Sequence, residues 1–198
     1  MSPRKTDTRE RMLASTAALV RERGASATSV DDILTHSHAP RGSVYHHFPG
    51  GRAQLIEEAL DLAGATVGEI VVRAGDRTPS QVFDAFIASW RSTLVDSQYR
   101  AGCPVLAVAV ESNDNAPQLT HAAARAFASW QTALAELLHH HGATPVRARR
   151  IATLVVASVE GAVVLCRVER SPRPIDDIAR ELRPLISQAA KPETDSPV

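Results

Sequence analysis

Residues 28–48 read TSVDDILTHSHAPRGSVYHHF, and this stretch predicts two short helices joined by a tight turn. Thr28 or Ser29 supplies an oxygen that caps the first helix, and the carboxylates of Asp31 and Asp32 suit its positive N-terminus. The apolar positions 30, 33 and 34 then have the spacing of one helical face. His36-Ser37-His38-Ala39 interrupts this pattern and marks the turn.

The second helix is predicted from Pro40 to about His47, because proline has a helical φ and no amide hydrogen to leave unbonded. Val44 and Phe48 point inward in this helix. Its solvent side carries four hydrogen-bonding side chains: Arg41, Ser43, Tyr45 and His46. A helix with so little apolar face suits a groove lined by phosphates and base edges better than a core. The stretch therefore predicts a helix-turn-helix that places its second helix in the major groove of DNA.

This segment, with a predicted helix Arg9–Arg23 before it and Arg52 after it, resembles the DNA-binding domain of the tetracycline-repressor (TetR) family. The family motif ends in Gly, Ser or Thr, an apolar residue, Tyr, any residue, His and Phe, which residues 42–48 match. The later Gly102-Cys103-Pro104-Val105 and the turn Pro49-Gly50-Gly51 resemble one branch, the lincomycin-resistance-repressor-like (LmrA/YxaF) regulators. One position departs from the pattern: His38 stands where the turn usually has Gly, and would need a positive φ at a cost of about 1 kcal/mol.

Composition favours a helical bundle. Aromatic residues make up only 4% of the 198 residues, and no segment alternates convincingly between apolar and polar residues. We expect an all-α protein of nine helices, which the resemblance describes as an N-terminal three-helix DNA-binding domain followed by a bundle for ligand binding and dimerisation. The expected domains are residues 5–52, with a fourth helix leading on from residue 52, and residues 53–190. The polar tail 191–198 is predicted to be disordered.

Charge is divided unevenly along the chain. Residues 1–52 hold eight basic and five acidic residues, a net charge of +3, whereas the remaining 146 hold fourteen and seventeen, a net charge of −3. Basic charge is thus concentrated where binding to DNA phosphates needs it. The two cysteines are too few for a disulfide scaffold and agree with a cytoplasmic location. The polar start argues against a signal peptide, and the apolar run 151–168 is predicted to be a buried helix with no membrane role, since it contains Glu160 and Arg167.

The predicted contacts with DNA differ in kind. Arg41 could bond a guanine edge or a phosphate, or be a solvated surface arginine. Tyr45 could give its hydroxyl to a phosphate, and Gly42 would allow close approach of the backbone. Arg52 could grip a phosphate at the start of the fourth helix. The full set, in which Thr28 and Ser29 are caps first and His47 is a packing residue first, is Thr28, Ser29, Pro40, Arg41, Gly42, Ser43, Tyr45, His46, His47 and Arg52.

The last two predicted helices combine apolar stripes with small residues, which allow close packing of a four-helix bundle shared by two subunits. The alternative is that they only complete the core of one chain. Candidate dimer residues are Leu154, Ser158, Gly161, Ala162, Leu165, Ile178, Leu182 and Leu185. A twofold dimer would set two reading helices about one DNA turn (~34–36 Å) or a multiple of it apart, which implies a pseudo-palindromic operator.

A pocket for a small apolar effector is predicted among most of the large aromatic residues, although for each residue taken singly ordinary core is the favoured interpretation. The candidates are Phe83, Phe86, Trp90, Phe127 and Trp130, with Cys103 and Glu160 as polar members. Cys103 precedes a helix start, which can lower the pKa of a thiol, so a thiol sensor is an alternative. His139, His140 and His141 point about 100° apart on a helix and so cannot all bind one metal ion.

Together these features predict a ligand-responsive, homodimeric DNA-binding regulator of transcription, a repressor released from its operator by a small effector. No assembled nucleophile–base pair or glycine-rich nucleotide loop indicates an enzyme, and no cofactor is implied. The alternatives are a thiol- or metal-responsive sensor on the same scaffold, or a helical small-molecule-binding protein or enzyme.

Overall fold

A computed structural model of the chain describes residues 3–72, 75–111 and 116–190, and within these ranges it contains nine α-helices and no strand. The all-α prediction is confirmed. The predicted disordered tail, residues 191–198, lies outside the described residues. The helices are α1 (Pro3–Arg23), α2 (Val30–Ser37), α3 (Ser43–His47), α4 (Gly51–Val72), α5 (Pro79–Asp96), α6 (Pro104–Glu111), α7 (Pro117–His140), α8 (Pro145–Glu169) and α9 (Arg173–Ala189).

Proline opens most of these helices. It is the first residue of five of the nine, α1, α5, α6, α7 and α8. Proline is favoured there because the first helical amide has no partner within the helix and the ring already sets φ near the helical value. The α5 start is reinforced by Thr78, whose hydroxyl accepts from the Gln81 amide while the Gln81 side chain accepts from the Thr78 amide. These local signals fix where each helix begins.

The chain divides into two compact units. The first comprises Met1–Ala65 and Gly102–Ala126, and the second comprises Thr66–Ala101 and Phe127–Val198. Two helices, α4 and α7, run from one unit into the other. This division differs from the predicted boundary at residue 52, because Leu55 and Ala59 of α4 pack in the core of the first unit and α6 packs against α1. The functional boundaries 5–52 and 53–190 therefore remain a prediction.

The first unit has a small apolar core shared by α1–α4. Met12 of α1, Ile33 of α2, Phe48 just after α3 and Leu55 of α4 all have no exposed surface. Burying such side chains contributes about 1.5–3 kcal/mol each relative to exposure, so four of them are a large share of the stability of a unit this small.

Within this unit α4 and α7 approach closely at Gly64. A Cβ added there would lie 3.2 Å from the Cβ of Ala126, so no side chain separates the two helices at this level. Nearby, Arg125 of α7 bonds Glu57 at 3.0 Å and Asp61 at 3.2 Å, both on α4. These ion pairs raise the pKa of the Arg125 guanidinium, with the hydrogen bond to Glu57 as the largest cause.

The second unit is held by long helices with a larger core. In this core α8 packs on α9 and α5 packs on both, and Ile175 and Ile186 of α9 are completely buried together with Leu138 near the end of α7. At the rim, Arg183 of α9 donates from Nε and Nη2 to Asp84 Oδ1 of α5, at 2.9 Å and 2.7 Å. The apolar stripes read from the sequence account for this core.

Candidate DNA-binding surface

The α2 helix begins with a reciprocal cap. The Ser29 hydroxyl accepts from the Asp32 amide at 3.2 Å, and the Asp32 carboxylate accepts from the Ser29 amide at 3.0 Å. The hydrogen bond from the Ser29 side chain is the largest of the causes that lower the pKa of the Asp32 carboxyl; Arg23, 3.3 Å away, also contributes. Of the two cap residues considered from the sequence, Ser29 is the one used.

Thr28 lies differently from the other candidates. Its side chain is buried, with 1% exposed, and its hydroxyl donates to the Gly24 carbonyl at 2.7 Å. It is therefore outside the exposed surface, and its role is to close the α1–α2 loop, residues 24–29.

The turn between α2 and α3 takes the backbone form that the sequence required. His38 has φ 51° and ψ 36°, the left-handed region, so the prediction of a positive φ at this non-glycine residue is confirmed. The Ala39 amide donates to the Leu34 carbonyl at 3.0 Å, which closes the end of α2. The turn of the motif is thus kept with histidine in place of glycine.

The α3 helix is shorter than predicted. It begins at Ser43, whereas Pro40–Gly42 form a turn in which the Ser43 amide donates to the Pro40 carbonyl at 2.9 Å. The prediction that Pro40 opens the helix was wrong, because this i→i+3 bond makes a tight turn with Gly42 as the residue before the helix. Pro40 and Gly42 remain exposed beside Arg41.

The two faces of α3 differ as the sequence predicted. Val44 is 1% exposed and Phe48 is fully buried, whereas Tyr45 is 70% exposed. His46 and Arg41 are also exposed, and Ser43 is half-buried. Within residues 40–46 the structure therefore leaves Pro40, Arg41, Gly42, Tyr45 and His46 exposed, with Ser43 half-buried and Val44 buried.

Phe48 is fixed from two helices. The Arg9 guanidinium of α1 lies 5.1 Å above its ring, and Arg9 also pairs with Glu58 of α4. His47 is half-buried and packs its ring edge-on against His46, with centroids 4.9 Å apart. This placement agrees with the packing role considered first for His47.

Arg52, at the start of α4, donates from Nε to the Thr28 carbonyl at 2.8 Å and from Nη2 to the Ala25 carbonyl. Its guanidinium is thus directed at the α1–α2 loop, where it ties α4 to the start of α2. The sequence suggested a phosphate contact instead and missed this role, since no local pattern reveals which carbonyls a long side chain will reach.

The segment that leads into α6 is bonded to the end of α1. The Gly102 amide donates to the Arg21 carbonyl at 2.8 Å, and burial lowers the pKa of the Arg21 guanidinium. Cys103 is buried directly before α6, and its sulfur accepts from the Leu106 amide at 3.5 Å. Cys103 therefore belongs to the first unit, whereas the other predicted pocket residues lie in the second.

Those other residues pack as two aromatic pairs. The rings of Phe86 and Trp90 have centroids 6.4 Å apart, and those of Phe127 and Trp130 are 5.3 Å apart, both pairs edge-to-face. The remaining two candidates, Phe83 and Glu160, are buried with 3% and 7% exposed.

The second unit also has open cavities at the start of α8. One, of about 390 Å³, lies against α7 and is lined by residues that include Glu136, His139 and Arg149. Another, of about 430 Å³, includes Arg147 and Gln188. Neither is lined by a predicted pocket residue.

An apolar stripe is exposed along α8. Leu154, Val164, Leu165 and Val168 are between 42% and 77% exposed, and nothing lies within 4 Å of a Cβ added at Gly161. In the described part of the chain α8 is also the one helix long and apolar enough to cross a membrane by length and composition alone. A core helix of a folded domain passes the same test.

The predicted dimer residues divide into two sets. The first set is accessible in the single chain: Leu154, Gly161 and Leu165 are exposed, and Ser158, Ile178 and Leu185 are half-buried. Ala162 and Leu182, in contrast, are 2% and 4% exposed and belong to the core of the chain itself. Their assignment to a dimer contact is corrected, because they face α8–α9 packing within one chain.

The three consecutive histidines do not form a metal site. His139 bonds the Ala143 carbonyl through Nδ1 at 2.8 Å, and His141 bonds the Leu137 carbonyl at 2.9 Å. Over the described ranges, no group of three or more His, Cys, Asp or Glu residues is placed to hold a metal ion.

Comparison with known proteins agrees with this arrangement. Residues 12–59 match the family model described as bacterial regulatory proteins, tetR family, and residues 79–181 match the model of the transcriptional regulator LmrA/YxaF-like C-terminal domain. An HTH-type transcriptional regulator of Mycobacterium tuberculosis strain H37Rv is 44% identical over 184 residues, 90% of this chain and 93% of that one.

Two further relatives are informative. The HTH-type transcriptional regulator LmrA of Bacillus subtilis is 28% identical, over 85% of this chain and 91% of its own. The crystal structure of a TetR transcriptional regulator from Chloroflexus aurantiacus is 29% identical and superposes with a TM-score of 0.75, over 94% of this chain and 98% of that one. The chain therefore belongs to the TetR family of bacterial transcriptional regulators, with an LmrA/YxaF-like C-terminal domain, and is not an enzyme.

Proposed function

We propose that this regulator is a homodimeric repressor that reads a pseudo-palindromic operator through α3 and leaves it when a small apolar effector binds. The observation that carries the DNA contact is that one side of α3 is buried and the other is exposed. Val44 and Phe48 anchor the helix, while Tyr45 presents 70% of its surface outward next to the exposed Arg41 and His46. An exposed aromatic hydroxyl and a guanidinium on a rigid short helix are suited to phosphate and base-edge contacts.

Gly42 supports this proposal independently. Its φ is −84°, which any residue can adopt, and nothing lies within 4 Å of a Cβ added there. Within the described residues, neither the backbone conformation nor the space around position 42 requires a glycine before α3. A surface that must let another molecule approach the backbone does explain it.

The dimer is proposed through the α8 stripe. Leu154, Gly161, Leu165 and Val168 follow one another on the exposed side of a 25-residue helix, at spacings of three, four or seven residues. A contiguous apolar surface of this kind is costly to leave in water and marks an interaction site. An isologous contact, α8 against α8 of a second copy with α9 alongside, would cover it in the four-helix arrangement.

The effector site is proposed in the second unit. Its edge-to-face aromatic pairs and the buried carboxylate of Glu160 are the types of residue that line small-molecule pockets. Since α4 belongs to both units, it is the element through which binding would alter the reading helices, in proportion to the difference in effector affinity between the two states. The protein is expected in the cytoplasm, with its DNA.

A thiol-responsive regulator is the second candidate. It is favoured by the Cys103 sulfur, which accepts the Leu106 amide at the start of α6. Cys103→Ser should leave DNA release under oxidant unchanged if the effector is a small apolar molecule, and should abolish that release if Cys103 is the sensor.

Operator selection from random duplex DNA with the purified protein tests the main proposal. We expect a recovered site with twofold symmetry and an affinity that falls steeply as salt rises, because phosphate contacts release counterions. A recovered site without twofold symmetry would exclude binding of the operator by a symmetric dimer. The absence of a gel-mobility shift with any duplex at low salt would exclude DNA binding through α3.

A further inference from the structure

The α1–α2 loop leads directly into the helix-turn-helix, and it is bonded to two helices that are distant in sequence. From α4, Arg52 donates to the carbonyls of Ala25 and Thr28. From α6, the Glu111 carboxylate accepts the Ser26 amide at 2.7 Å, across 85 residues of sequence. The loop thus has a fixed donor on one side and a fixed acceptor on the other.

Glu111 also explains a glycine. Gly24 has φ +86°, and a Cβ added there would overlap the Glu111 carboxylate. The carboxylate therefore lies directly against the loop backbone, with one oxygen bonded to Ser26 and the other at Gly24. Such a fit requires both the reach of the Glu side chain and the absence of a side chain at position 24.

The charge of Glu111 opposes the binding of DNA. Glu111 adds a negative charge to the unit that must approach DNA phosphates, which by charge alone weakens binding. A carboxylate accepting a backbone amide forms one of the stronger hydrogen bonds in proteins. The contact thus fixes the loop geometry at an electrostatic cost to DNA affinity.

We propose that Glu111 is a positioning residue for DNA binding, through which α6 sets the α1–α2 loop and hence the orientation of α2 and α3. This inference rests on the proposed contact of α3 with DNA. Its consequence is that α6, although far along the chain from the reading helix, controls operator affinity through one hydrogen bond at Ser26.

Two matched variants distinguish the effect of the length of the Glu111 side chain from the effect of its charge. Glu111→Asp keeps the charge but withdraws the oxygens by one methylene, whereas Glu111→Gln removes the charge but keeps an acceptor at the same reach. If Glu111 positions the loop, Glu111→Asp should weaken binding to the selected operator about tenfold. Glu111→Gln should stay within about twofold of wild type or bind more tightly. Glu181→Gln, on the exposed side of α9, is the control.

A second measurement needs no DNA. Hydrogen exchange of the Ser26 amide, followed by NMR on the full chain, should accelerate in Glu111→Asp and stay near the wild-type rate in Glu111→Gln. This arm reports on the contact even if wild type binds no duplex, so failure of the proposed function and failure of this inference are distinguishable.

Several results would overturn the proposal. One is unchanged operator affinity and unchanged Ser26 exchange in Glu111→Asp. Another is weaker binding in Glu111→Gln with normal binding in Glu111→Asp, which would assign the effect to charge. Equal weakening in both variants with an equally lowered Tm would assign it to general destabilisation.

Discussion

The two units of this protein are stabilised in different ways. In the first, α2 and α3 have 8 and 5 residues, too short to be stable alone, and are fixed by individual contacts such as the Ser29 cap and buried Phe48. In the second, α5, α8 and α9 have 17 to 25 residues and pack through long apolar stripes. The structure of the first unit therefore depends on the identity of single residues. That of the second depends on the pattern of apolar and polar residues along its helices.

The largest effect should come from the core of the first unit. Phe48→Ala removes a fully buried ring under Arg9 and should cost about 3–5 kcal/mol, which abolishes operator binding. The two tryptophans, Trp90 and Trp130, lie in the second unit. We therefore expect circular dichroism to show an early melting step that tryptophan fluorescence does not.

The matching change in the second unit is Leu138→Ala, also at a fully buried position. It should cost about 2–5 kcal/mol but lower the tryptophan transition itself. If Phe48→Ala shifted the fluorescence transition as much as Leu138→Ala, the two units would melt as one, and they would not differ in how they are stabilised.

The next effect concerns the exposed stripe of the second unit. Leu165→Glu places a carboxylate in the proposed contact between two α8 helices and should raise the dimer dissociation constant more than about a hundredfold. Sedimentation should then detect monomers that bind the operator weakly. Val95→Glu, at an exposed apolar position of α5, should remain dimeric. An unchanged dimer in Leu165→Glu would place the interface elsewhere.

A smaller and more selective effect is expected on the reading surface. If Arg41 bonds a base, Arg41→Ala should lose about 1–3 kcal/mol of operator binding free energy. If Arg41 bonds a phosphate, the variant should reduce the slope of the logarithm of the binding constant against the logarithm of salt concentration by about one. Because Arg41 is exposed, stability should change by less than about 0.5 kcal/mol. Titrations at several salt concentrations distinguish the two roles. Arg180→Ala on α9 serves as the comparison, and equal affinity losses in both would refute a specific role for Arg41.

The smallest effect is that of the α2 cap. Ser29→Ala should cost about 1 kcal/mol at neutral pH. The pKa of Asp32 is lower in the folded protein than in the unfolded chain, where it is ~3.9. The contribution of the Asp32 carboxylate to stability is therefore complete above that pH and is lost as pH falls through the pKa of the folded state. Urea melts should therefore show a difference between wild type and Ser29→Ala that narrows only in acid. A difference that narrowed at neutral pH would assign the cap to another group.

The sequence predicted those features that depend on neighbours along the chain. The capping residue, the positive φ of His38 and the inward Val44 and Phe48 all follow from local rules of helix ends and periodicity. The start of α3 was missed because proline occurs both in tight turns and in the first turn of a helix, and here residues 40–43 form a turn.

Contacts between distant segments could not be predicted. Nothing local shows that Arg52 bonds loop carbonyls, or that Glu111 returns to Ser26. Likewise Ala162 and Leu182 fit a dimer contact by periodicity, yet lie in the core of the chain, because a helix packed on two sides has two apolar stripes.

The bare contact of Gly64 with Ala126 has a mechanical consequence for α4. A glycine within a helix costs about 1 kcal/mol relative to alanine, so its presence must be offset by the proximity of α7 that it permits. Where no side chains interdigitate, two helices can swivel about their point of closest approach without first withdrawing a knob from a hole. This crossing is therefore a point about which α4 can rotate against α7. The ion pairs of Arg125 with Glu57 and Asp61 limit the extent of that rotation.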